Sequence, residues 1–384
     1  MSTNKNNRIL FILPDTEMGG AERQAVLLSK ELSEKYIVDF LCLHFQKRKY
    51  KVPEALKNSN VNVVIIESIF PTNRMCQIFR LAQIAWFCLF KRYYAVFPYL
   101  YEMCIDIGIL KYLRLLNTNI AVWNQRDEGF KGKLTKINKS ILPYFDVFIS
   151  NSLGGCSFLE NTLLVPQNKI HYIKNGVDIK PTISRNSWRI AHQIADDEFV
   201  LCMLANIQSN KDHLTVIRAI KKINDRGLKV KMLLVGYPGN TIDLVKQTIL
   251  ESGLSNSVIL FGAVQDVGSL LNAVDASVLS SPSEGLSNAM LESMAMKVPF
   301  IGTRISGITN VLGNDYPLLF EVGNANQLAD CIQMVMEKSE CIENIVSSNV
   351  MLIERVFSIT RLKQETLALI EKNKYSTPQY STSG

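Results

Sequence analysis

Short apolar runs alternate with segments in which apolar residues recur every three or four positions along most of the chain. Runs such as RILFIL, VKMLLV and SVILF are continuously apolar, which is typical of strands covered on both faces. In the first half the pattern predicts strands near 8–13, 37–43, 61–66, 119–123, 146–150 and 170–173. In the second half it predicts strands near 198–204, 230–235, 257–261, 276–280, 299–303 and 317–320. Strand–helix alternation of this kind predicts parallel sheets with right-handed crossovers.

Both halves begin with a strand, a polar or glycine-rich turn and an amphipathic helix. In the first half, one face of the predicted helix carries Ala21, Ala25, Leu28 and Leu32. The second half opens in the same order with FVLCMLANIQSNKDHLTVIRAI. We therefore expect two doubly wound α/β domains that bind ligands beyond the carboxyl ends of their strands. The boundary is expected in the polar stretch IKPTISRNS, between a first domain over 1–180 and a second that starts near 190.

Composition narrows the classes of protein and partner. The 384 residues, 47% of them hydrophobic and 20% charged, can bury substantial cores, so disorder is expected only at the ends, including 375–384. A net charge of +7 favours an anionic partner such as a nucleotide, a phosphate or an anionic lipid. No dense block of lysine and arginine with interleaved aromatic residues occurs, which argues against nucleic acid.

The cysteines and the lengths of the apolar runs indicate in which cellular compartment the protein is expected. The eight cysteines, at 42, 76, 88, 104, 156, 202, 331 and 341, form no CxxC pair, so we expect neither zinc nor a disulfide framework. A reducing cytosol fits this usage best. The first apolar run is too short for a signal peptide, and no run reaches the roughly 18–20 residues that span a bilayer.

Two turns after predicted strands are suited to phosphate. Gly19 and Gly20 let the backbone approach a ligand, and the helix that follows offers free N–H groups to an anion; the alternative is a tight turn. In the equivalent turn of the second half, Lys211 can reach a diphosphate as a point charge, or it is a solvated surface lysine. In the same turn, Asn206 and Gln208 can donate hydrogen bonds without charge.

Two glutamates flank a predicted helix start in the segment SPSEGLSNAMLESMAMKVP. Glu284 precedes the helix, Glu292 lies on it, and Ser287 is the expected N-cap, which leaves the N–H groups of the first turn available. The alternative is that the acids only complement the helix dipole, worth about 0.3–1 kcal/mol each.

This segment, extended to SPSEGLSNAMLESMAMKVPFIGT, resembles the donor-binding signature of glycosyltransferase family 4, a family of retaining enzymes with the GT-B fold. The stretches MGGAERQ, HYIKNGVD, NKDHLTVIRAI, FGAVQDVGSLLNAVDASVLSSPSEG and RVFSITRLKQETLALIEK also resemble the family, in the same order and over nearly the whole chain. The resemblance implies two Rossmann-like domains that face a central cleft, with the donor domain over 190–352. It also implies a last helix, over 353–374, that returns to the first domain.

The resemblance implies a role for individual residues. Glu284 matches the residue that contacts sugar hydroxyls, and Glu292 the one that contacts the ribose of a nucleotide sugar. The backbone of Gly285, Leu286, Ser287 and Asn288 would then face the sugar and phosphate. The other expected donor contacts are Gly19, Gly20, Asn206, Gln208, Lys211 and Val264. The expected catalytic residues are Glu284, Lys211 and Arg126, with no metal and no cofactor beyond the donor substrate.

Three positions depart from the family pattern. Asn206 stands where many members have arginine, and Asn310 where many have glutamate. Arg126 and Asp127 follow the strand AVWNQ, where many members place histidine. Arg126 is left with three alternatives: it binds donor phosphate, binds the acceptor, or pairs with Asp127 or Glu128.

The stretch RMCQIFRLAQIAWFCLFKRYYAVF, at 74–97, is apolar and aromatic with four interspersed cations. It predicts either a helix on an anionic membrane or an ordinary core helix with a wide apolar stripe.

We therefore expect a retaining, metal-independent hexosyltransferase that uses a nucleotide diphosphate sugar. Its acceptor is expected to be a glycan, with a lipid-linked oligosaccharide of a bacterial surface polysaccharide as the specific expectation. The expected location is the cytoplasm, at the inner face of the membrane. The rival hypotheses are a nucleotide-sugar epimerase on a similar fold and a catalytically idle binding or scaffold subunit.

Overall fold

The computed structural model describes residues 7–16, 19–44, 52–67, 74–129 and 135–373. Its contacts divide the chain into two compact units. The first unit contains the described residues up to Gly176 together with those from Ile359 onward, and the second unit is Val177–Ser358. The expected disordered tail at 375–384 lies outside the described residues.

The first unit is built on a seven-stranded sheet with the order β3-β2-β1-β4-β5-β6-β7, in which neighbouring strands are parallel. Its strands are β1 (Arg8–Leu13), β2 (Ile37–His44), β3 (Val61–Glu67), β4 (Tyr93–Pro98), β5 (Thr118–Gln125), β6 (Val147–Ser150) and β7 (Ile170–Tyr172). Its helices are α1 (Gly20–Leu32), α2 (Val52–Ala55), α3 (Arg74–Cys88), α4 (Tyr101–Tyr112), α5 (Lys136–Ile141), α6 (Leu153–Ser157) and, from the end of the chain, α15 (Ile359–Asn373). The chain order reverses between β1 and β4.

The second unit is built on a six-stranded parallel sheet with the order β10-β9-β8-β11-β12-β13. Its strands are β8 (Phe199–Leu204), β9 (Val230–Val235), β10 (Val258–Leu260), β11 (Ala276–Leu279), β12 (Phe300–Thr303) and β13 (Leu319–Phe320). Its helices are α7 (Arg185–Ala191), α8 (His213–Asp225), α9 (Ile242–Glu251), α10 (Val267–Ala273), α11 (Asn288–Ala295), α12 (Ser306–Leu312), α13 (Ala325–Met336) and α14 (Glu340–Val356). Here the chain order reverses between β8 and β11.

Apolar side chains fill both faces of each sheet, as the continuously apolar runs predict. The twelve predicted strands are confirmed, although some are shorter than predicted. The first helix buries Ala25, Leu28 and Leu32, and Ala21 packs against the same core. The predicted α/β class with two Rossmann-like domains is therefore confirmed.

The segment at 74–97 is not one helix, so the prediction there was wrong in its extent. Helix α3 ends at Cys88, a turn follows, and β4 begins at Tyr93. All six residues of β4 are buried because this strand lies in the middle of the sheet, next to β1. Aromatic and β-branched side chains in YYAVF suit a strand covered on both faces.

The last helix, α15, packs on the first unit. It buries Leu362, Leu369 and Ile370 in the core that contains α1 and β1. The Lys363 ammonium forms an ion pair with Glu31 of α1, at 3.1 Å. The expected range for this helix was 353–374, whereas α14 occupies positions up to Val356 within the second unit.

Candidate functional site

Two loops of the second unit meet at the point where its strand order reverses. The first follows β8 and leads into α8; the second follows β11 and leads into α11. The Asp212 N–H donates to the Ser280 carbonyl at 2.9 Å, and the Ser281 hydroxyl donates to the Asn210 carbonyl at 3.0 Å. Open α/β sheets bind ligands at such a reversal, in the crevice outside the carboxyl ends of the strands.

The two candidate charged residues of these loops contact one another. Lys211, on the first loop, forms an ion pair and hydrogen bond with the carboxylate of Glu284, on the second. Their side chains are 19% and 14% exposed. The fold thus brings together two residues 73 positions apart that the sequence singled out separately.

The start of α11 follows the local prediction. The Ser287 hydroxyl accepts a hydrogen bond from the Met290 N–H at 3.3 Å, so Ser287 is the N-cap. Ser287 and Leu286 are buried, whereas Gly285 and Asn288 are half-buried. Glu292 lies on the helix itself, with only 9% exposure.

A second helix supports the Glu284 loop from behind. A Cβ atom added to Gly307, in the first turn of α12, would lie 2.2 Å from the Glu284 carbonyl oxygen and 2.1 Å from that of Gly285. Gly307 therefore allows α12 to pack closely on the loop. The Thr303 hydroxyl adds a 2.8 Å hydrogen bond to the Ser281 carbonyl.

Three weaker candidates have structural roles or lie apart from the ion pair. The Asn206 side-chain carbonyl accepts from the Tyr237 N–H at 3.0 Å, which joins the loops after β8 and β9. Gln208 is exposed on the Lys211 loop. Val264 follows β10, the edge strand, and packs against the apolar cluster that contains Trp188.

His213 begins α8 and is buried. Burial lowers the pKa of its imidazole, although hydrogen bonding to the Lys211 and Ala205 backbone partly opposes the shift. A neutral ring therefore fits this position.

The remaining candidates belong to the first unit. Gly20 begins α1, and Gly19 precedes it as an N-cap with extended backbone and no side-chain hydrogen bond. Glu22, in the first turn, was not singled out from the sequence. Burial raises the pKa of its carboxyl group. In the sequence, the only signal for Glu22 was its place in the stretch GGAERQ, just after the glycine pair.

Arg126 pairs with neither Asp127 nor Glu128, so that alternative was wrong. Its guanidinium donates to Asn175 Oδ1 at 3.2 Å, to Asn124 Oδ1 at 3.1 Å and to the Tyr99 hydroxyl at 3.2 Å. These partners were not predicted, because they come from separate strand ends of the first sheet. Their sequence signal was weak: polar residues directly after buried apolar runs.

The candidate membrane segment keeps an exposed apolar face. Ile78, Phe79 and Trp86 are 68%, 43% and 77% exposed on α3, and Leu89 and Phe90 are 52% and 91% exposed in the turn that follows. We call these five residues the apolar face.

Two cations of that segment are bound to acidic side chains and so are not available to an anionic membrane surface. Arg80 binds Asp106, a residue of α4 with a fully buried side chain, and Lys91 lies 3.5 Å from the buried Asp39. These two cations therefore hold the fold together rather than forming a free basic surface. Within the part of the chain that the structure describes, no helix is both long and apolar enough to cross a bilayer.

Groups of three or more potential metal ligands are absent from the described residues. The cysteines at positions 42, 88, 104, 156, 202, 331 and 341 are free thiols.

Comparison with known proteins agrees with this architecture. A family model described as "Glycosyl transferases group 1" matches residues 198–338, which lie in the second unit. N-acetyl-alpha-D-glucosaminyl L-malate synthase of Bacillus anthracis is 28% identical over 186 residues, 48% of each chain. The chain spans about half the length of the first curated relatives it matches, at 48%, 44% and 46%.

A longer match is N-acetylgalactosamine-N,N'-diacetylbacillosaminyl-diphospho-undecaprenol 4-alpha-N-acetylgalactosaminyltransferase of Campylobacter jejuni. It is 23% identical over 344 residues, 83% of this chain and 87% of the relative. Among solved structures, Anabaena HepE in complex with UDP and glucose superposes with a TM-score of 0.80 at 17% identity, covering 95% of this chain and all of that one. The fold is therefore GT-B, and residues 198–338 are similar in sequence to group 1 glycosyl transferases.

Proposed function

We propose that the protein is a retaining glycosyltransferase that moves a hexose-type sugar from a nucleotide diphosphate sugar to a lipid-linked glycan of a bacterial surface polysaccharide. The observation that carries the proposal is the meeting of Lys211 and Glu284 on the two loops that follow β8 and β11. The motifs that resemble family 4 support the retaining class. The named acceptor of the Campylobacter relative supports a lipid-linked acceptor.

Lys211 is proposed to bind the diphosphate of the donor. Transfer breaks the bond between the sugar C1 and the diphosphate oxygen, so negative charge grows on the leaving group. Once the donor is bound, a lysine ammonium and the N–H groups at the start of α11 can stabilise that charge without further reorganisation during the reaction. We expect this positive charge to suffice, so that a chelator leaves the transfer rate unchanged.

Glu284 and Glu292 are proposed to orient the donor. A carboxylate that accepts hydrogen bonds from sugar hydroxyls fixes the sugar through charge-assisted bonds. On donor binding, Glu284 would exchange its ion pair with Lys211 for such hydroxyls, and Lys211 would turn to the phosphate oxygens. Glu292, one turn into α11 and largely buried, would hold the ribose.

Retention follows if the acceptor attacks from the face that the diphosphate leaves. The acceptor hydroxyl oxygen forms the new bond to C1 as the C1–phosphate oxygen bond breaks. The hydroxyl proton passes to the departing diphosphate, so no protein base is required. Glu284 therefore acts by position rather than as a nucleophile.

The test is transfer by purified full-length protein from a panel of UDP-, GDP- and ADP-sugars to a lipid-linked acceptor, with the anomeric configuration of the product read by NMR. Lys211→Ala and Glu284→Gln should each reduce turnover by at least about 100-fold. Lys231→Ala and Glu198→Gln are the controls, because those residues form an ion pair in the same unit, at 2.6 Å, whose lysine is as little exposed as Lys211. Wild-type activity in Lys211→Ala would remove the site assignment.

The rival hypotheses give different products. An epimerase would convert the donor into its stereoisomer without any acceptor. A scaffold subunit would bind nucleotide sugar and release no product with either substrate. The ion pair at the strand-order reversal favours transfer because it offers separate groups for the leaving diphosphate and for the sugar.

Contact with a membrane is proposed through the apolar face. If the helical spacing of α3 is continued through the turn, its five residues fall within an arc of about 120°. An aromatic and aliphatic surface of this kind inserts at the boundary between headgroups and acyl chains. This would bring a lipid-linked acceptor to the protein.

Intrinsic fluorescence tests the membrane contact directly. The chain has three tryptophans, and Trp123 and Trp188 are buried while Trp86 is 77% exposed. Vesicles of phosphatidylglycerol and phosphatidylcholine should therefore shift Trp86 emission to the blue. Phe90→Glu should weaken vesicle flotation, whereas Ile190→Glu, at a 75% exposed apolar site of the second unit, should not. Flotation equal in both variants would refute this surface.

A further inference from the structure

The first unit has its own reversal of strand order, between β1 and β4, and a polar cluster lies beside it. Tyr99 follows β4, Arg126 follows β5, Asn151 follows β6 and Asn175 follows β7. We call these residues, with Asn124 at the end of β5, the Arg126 cluster. Because the strands are parallel, their carboxyl ends share one edge of the sheet, where this fold class binds ligands.

Arg126 is a cation with neutral partners. Its guanidinium bonds two amide oxygens and a phenol, and it also lies over the Tyr99 ring at 4.8 Å. The nearest carboxylate in sequence, Asp127, accepts from Gln125 Nε2 and the Gly129 N–H, both at 2.7 Å. Within the described residues, no carboxylate contact therefore neutralises the positive charge of Arg126.

Two other arginines of this unit, Arg8 and Arg80, are paired with acids. Arg8 contacts Asp39 at 2.7 Å, and Arg80 binds Asp106. Both carboxylate side chains are fully buried. A partly buried cation is costly unless an opposite charge compensates it, so the contrast at Arg126 indicates that an anion from outside the chain does so.

The cluster also has unused hydrogen-bonding capacity. Arg126 Nε and Asn151 Oδ1 are buried and have no hydrogen-bond partner within the described residues. Asn151 is only 3% exposed, and its Nδ2 shares the Asn175 Oδ1 acceptor with Arg126, at 3.2 Å each. Buried polar atoms without partners are rare and indicate a site where a ligand or water completes the bonding.

We propose that the Arg126 cluster is an anion-binding subsite that holds the diphosphate through which the acceptor glycan is attached to its lipid. A guanidinium matches phosphate oxygens in a planar, two-point geometry, and the amides of Asn151 and Asn175 add neutral hydrogen bonds. This inference rests on the proposed transferase function for the identity of the ligand. The donor diphosphate has the same chemistry, so the test must separate the two sources.

The kinetic test compares two acceptors with the same sugar, one linked through diphosphate to a short lipid and one linked as an uncharged alkyl glycoside. Arg126→Gln should raise KM for the diphosphate acceptor by about 10- to 100-fold, the size of lost charge-assisted hydrogen bonds. KM for the uncharged acceptor and for the donor should change less than about twofold, and Arg126→Lys should recover part of the loss. Arg92→Gln is the control, because Arg92 is exposed and bonds the neutral Asn119.

Two kinetic results would overturn the proposal. Equal loss with both acceptors would assign Arg126 a structural role, and a rise confined to the donor KM would assign it to donor phosphate.

A binding measurement separates this subsite from the transferase proposal. Inorganic pyrophosphate, added with saturating nucleotide, should raise the melting temperature of the wild type, Arg92→Gln and Lys211→Ala proteins but not of Arg126→Gln. If this pattern of stabilisation is found in a protein that shows no transfer activity, the Arg126 subsite is supported and the proposed transferase function is wrong. Equal stabilisation of Arg126→Gln and wild type would reject the subsite even in an active enzyme.

Discussion

Replacing Gly307 by alanine should damage the donor site without changing any residue proposed to touch the donor. The new Cβ would lie 2.1–2.2 Å from the carbonyl oxygens of Gly285 and Glu284, and Cβ atoms essentially never approach closer than 3.0 Å. Both neighbours are backbone atoms, so no side-chain rotation relieves the overlap. Helix α12 and the Glu284 loop must therefore separate by about 1 Å.

The expected losses in stability and in transfer rate can be calculated roughly. Overpacking of this kind costs about 1–3 kcal/mol of unfolding free energy. A shift of about 1 Å at a positioning residue can cost about 100-fold in rate, because the sugar C1 is no longer correctly placed relative to the attacking hydroxyl. We therefore expect kcat/KM for the donor to fall by about 100-fold at a temperature where the variant stays folded.

Gly268→Ala is the control for stability. A Cβ there would lie 2.2 Å from the Lys180 carbonyl oxygen, a similar backbone overlap in the same unit but on a different loop. Denaturant unfolding should show comparable losses for the two variants, while donor kinetics should be impaired only in Gly307→Ala. Equal kcat/KM in the two variants would refute the reasoning that α12 positions Glu284.

Three further predictions concern stability. Burial alone would raise the pKa of Asp39, but hydrogen bonds from Asn62, Tyr93 and Arg8 outweigh it and lower the pKa below 3.8. The folded-state pKa therefore lies below the unfolded one, so stability from Asp39 is present above the unfolded pKa and lost as pH falls through the folded pKa. The difference in unfolding free energy between wild type and Asp39→Asn should thus shrink between about pH 5 and pH 2 in urea titrations; a constant difference would contradict it. Ser287→Ala should cost about 0.5–2 kcal/mol in urea unfolding through loss of the α11 cap, and no loss would show that the cap is redundant. Deleting α15 should expose the core around α1, so that limited proteolysis cleaves the first unit before the second; unchanged protection of the first unit would contradict this packing.

Sequence pattern predicted the fold well because both sheets are parallel and covered on two faces. Each strand then appears as its own apolar run, bounded by polar residues. The exception is β4, which follows α3 after only a short turn. Leu89 and Phe90 in that turn are apolar yet exposed, so hydropathy alone shows no break between helix and strand.

In the candidate site, too, local contacts could be predicted from the sequence and contacts between distant residues could not. The Ser287 cap involves residues three positions apart, so local sequence contains the needed information. The Lys211–Glu284 contact joins residues 73 positions apart, and both were selected because each follows a strand and precedes a helix. The pairing itself depends on β8 and β11 being neighbours, which strand order decides and local pattern does not.

The Arg126 cluster was the least predictable part. Its members come from the ends of four strands, and nothing in the local sequence distinguishes an amide that contacts Arg126 from one that faces solvent. Local sequence also does not identify the neighbours of Gly307, because they are backbone atoms of another loop.

Calorimetric titration of the preferred nucleotide diphosphate sugar into Lys211→Ala and Lys231→Ala tests the central claim most directly. Both lysines are largely buried in ion pairs of the second unit, with 19% and 17% exposure, so loss of a positive charge alone affects them alike. If Lys211 binds the donor, the Kd for the nucleotide diphosphate sugar should rise by about 10- to 100-fold in Lys211→Ala and stay unchanged in Lys231→Ala. Equal affinity in the two variants would contradict a donor site at the strand-order reversal of the second unit.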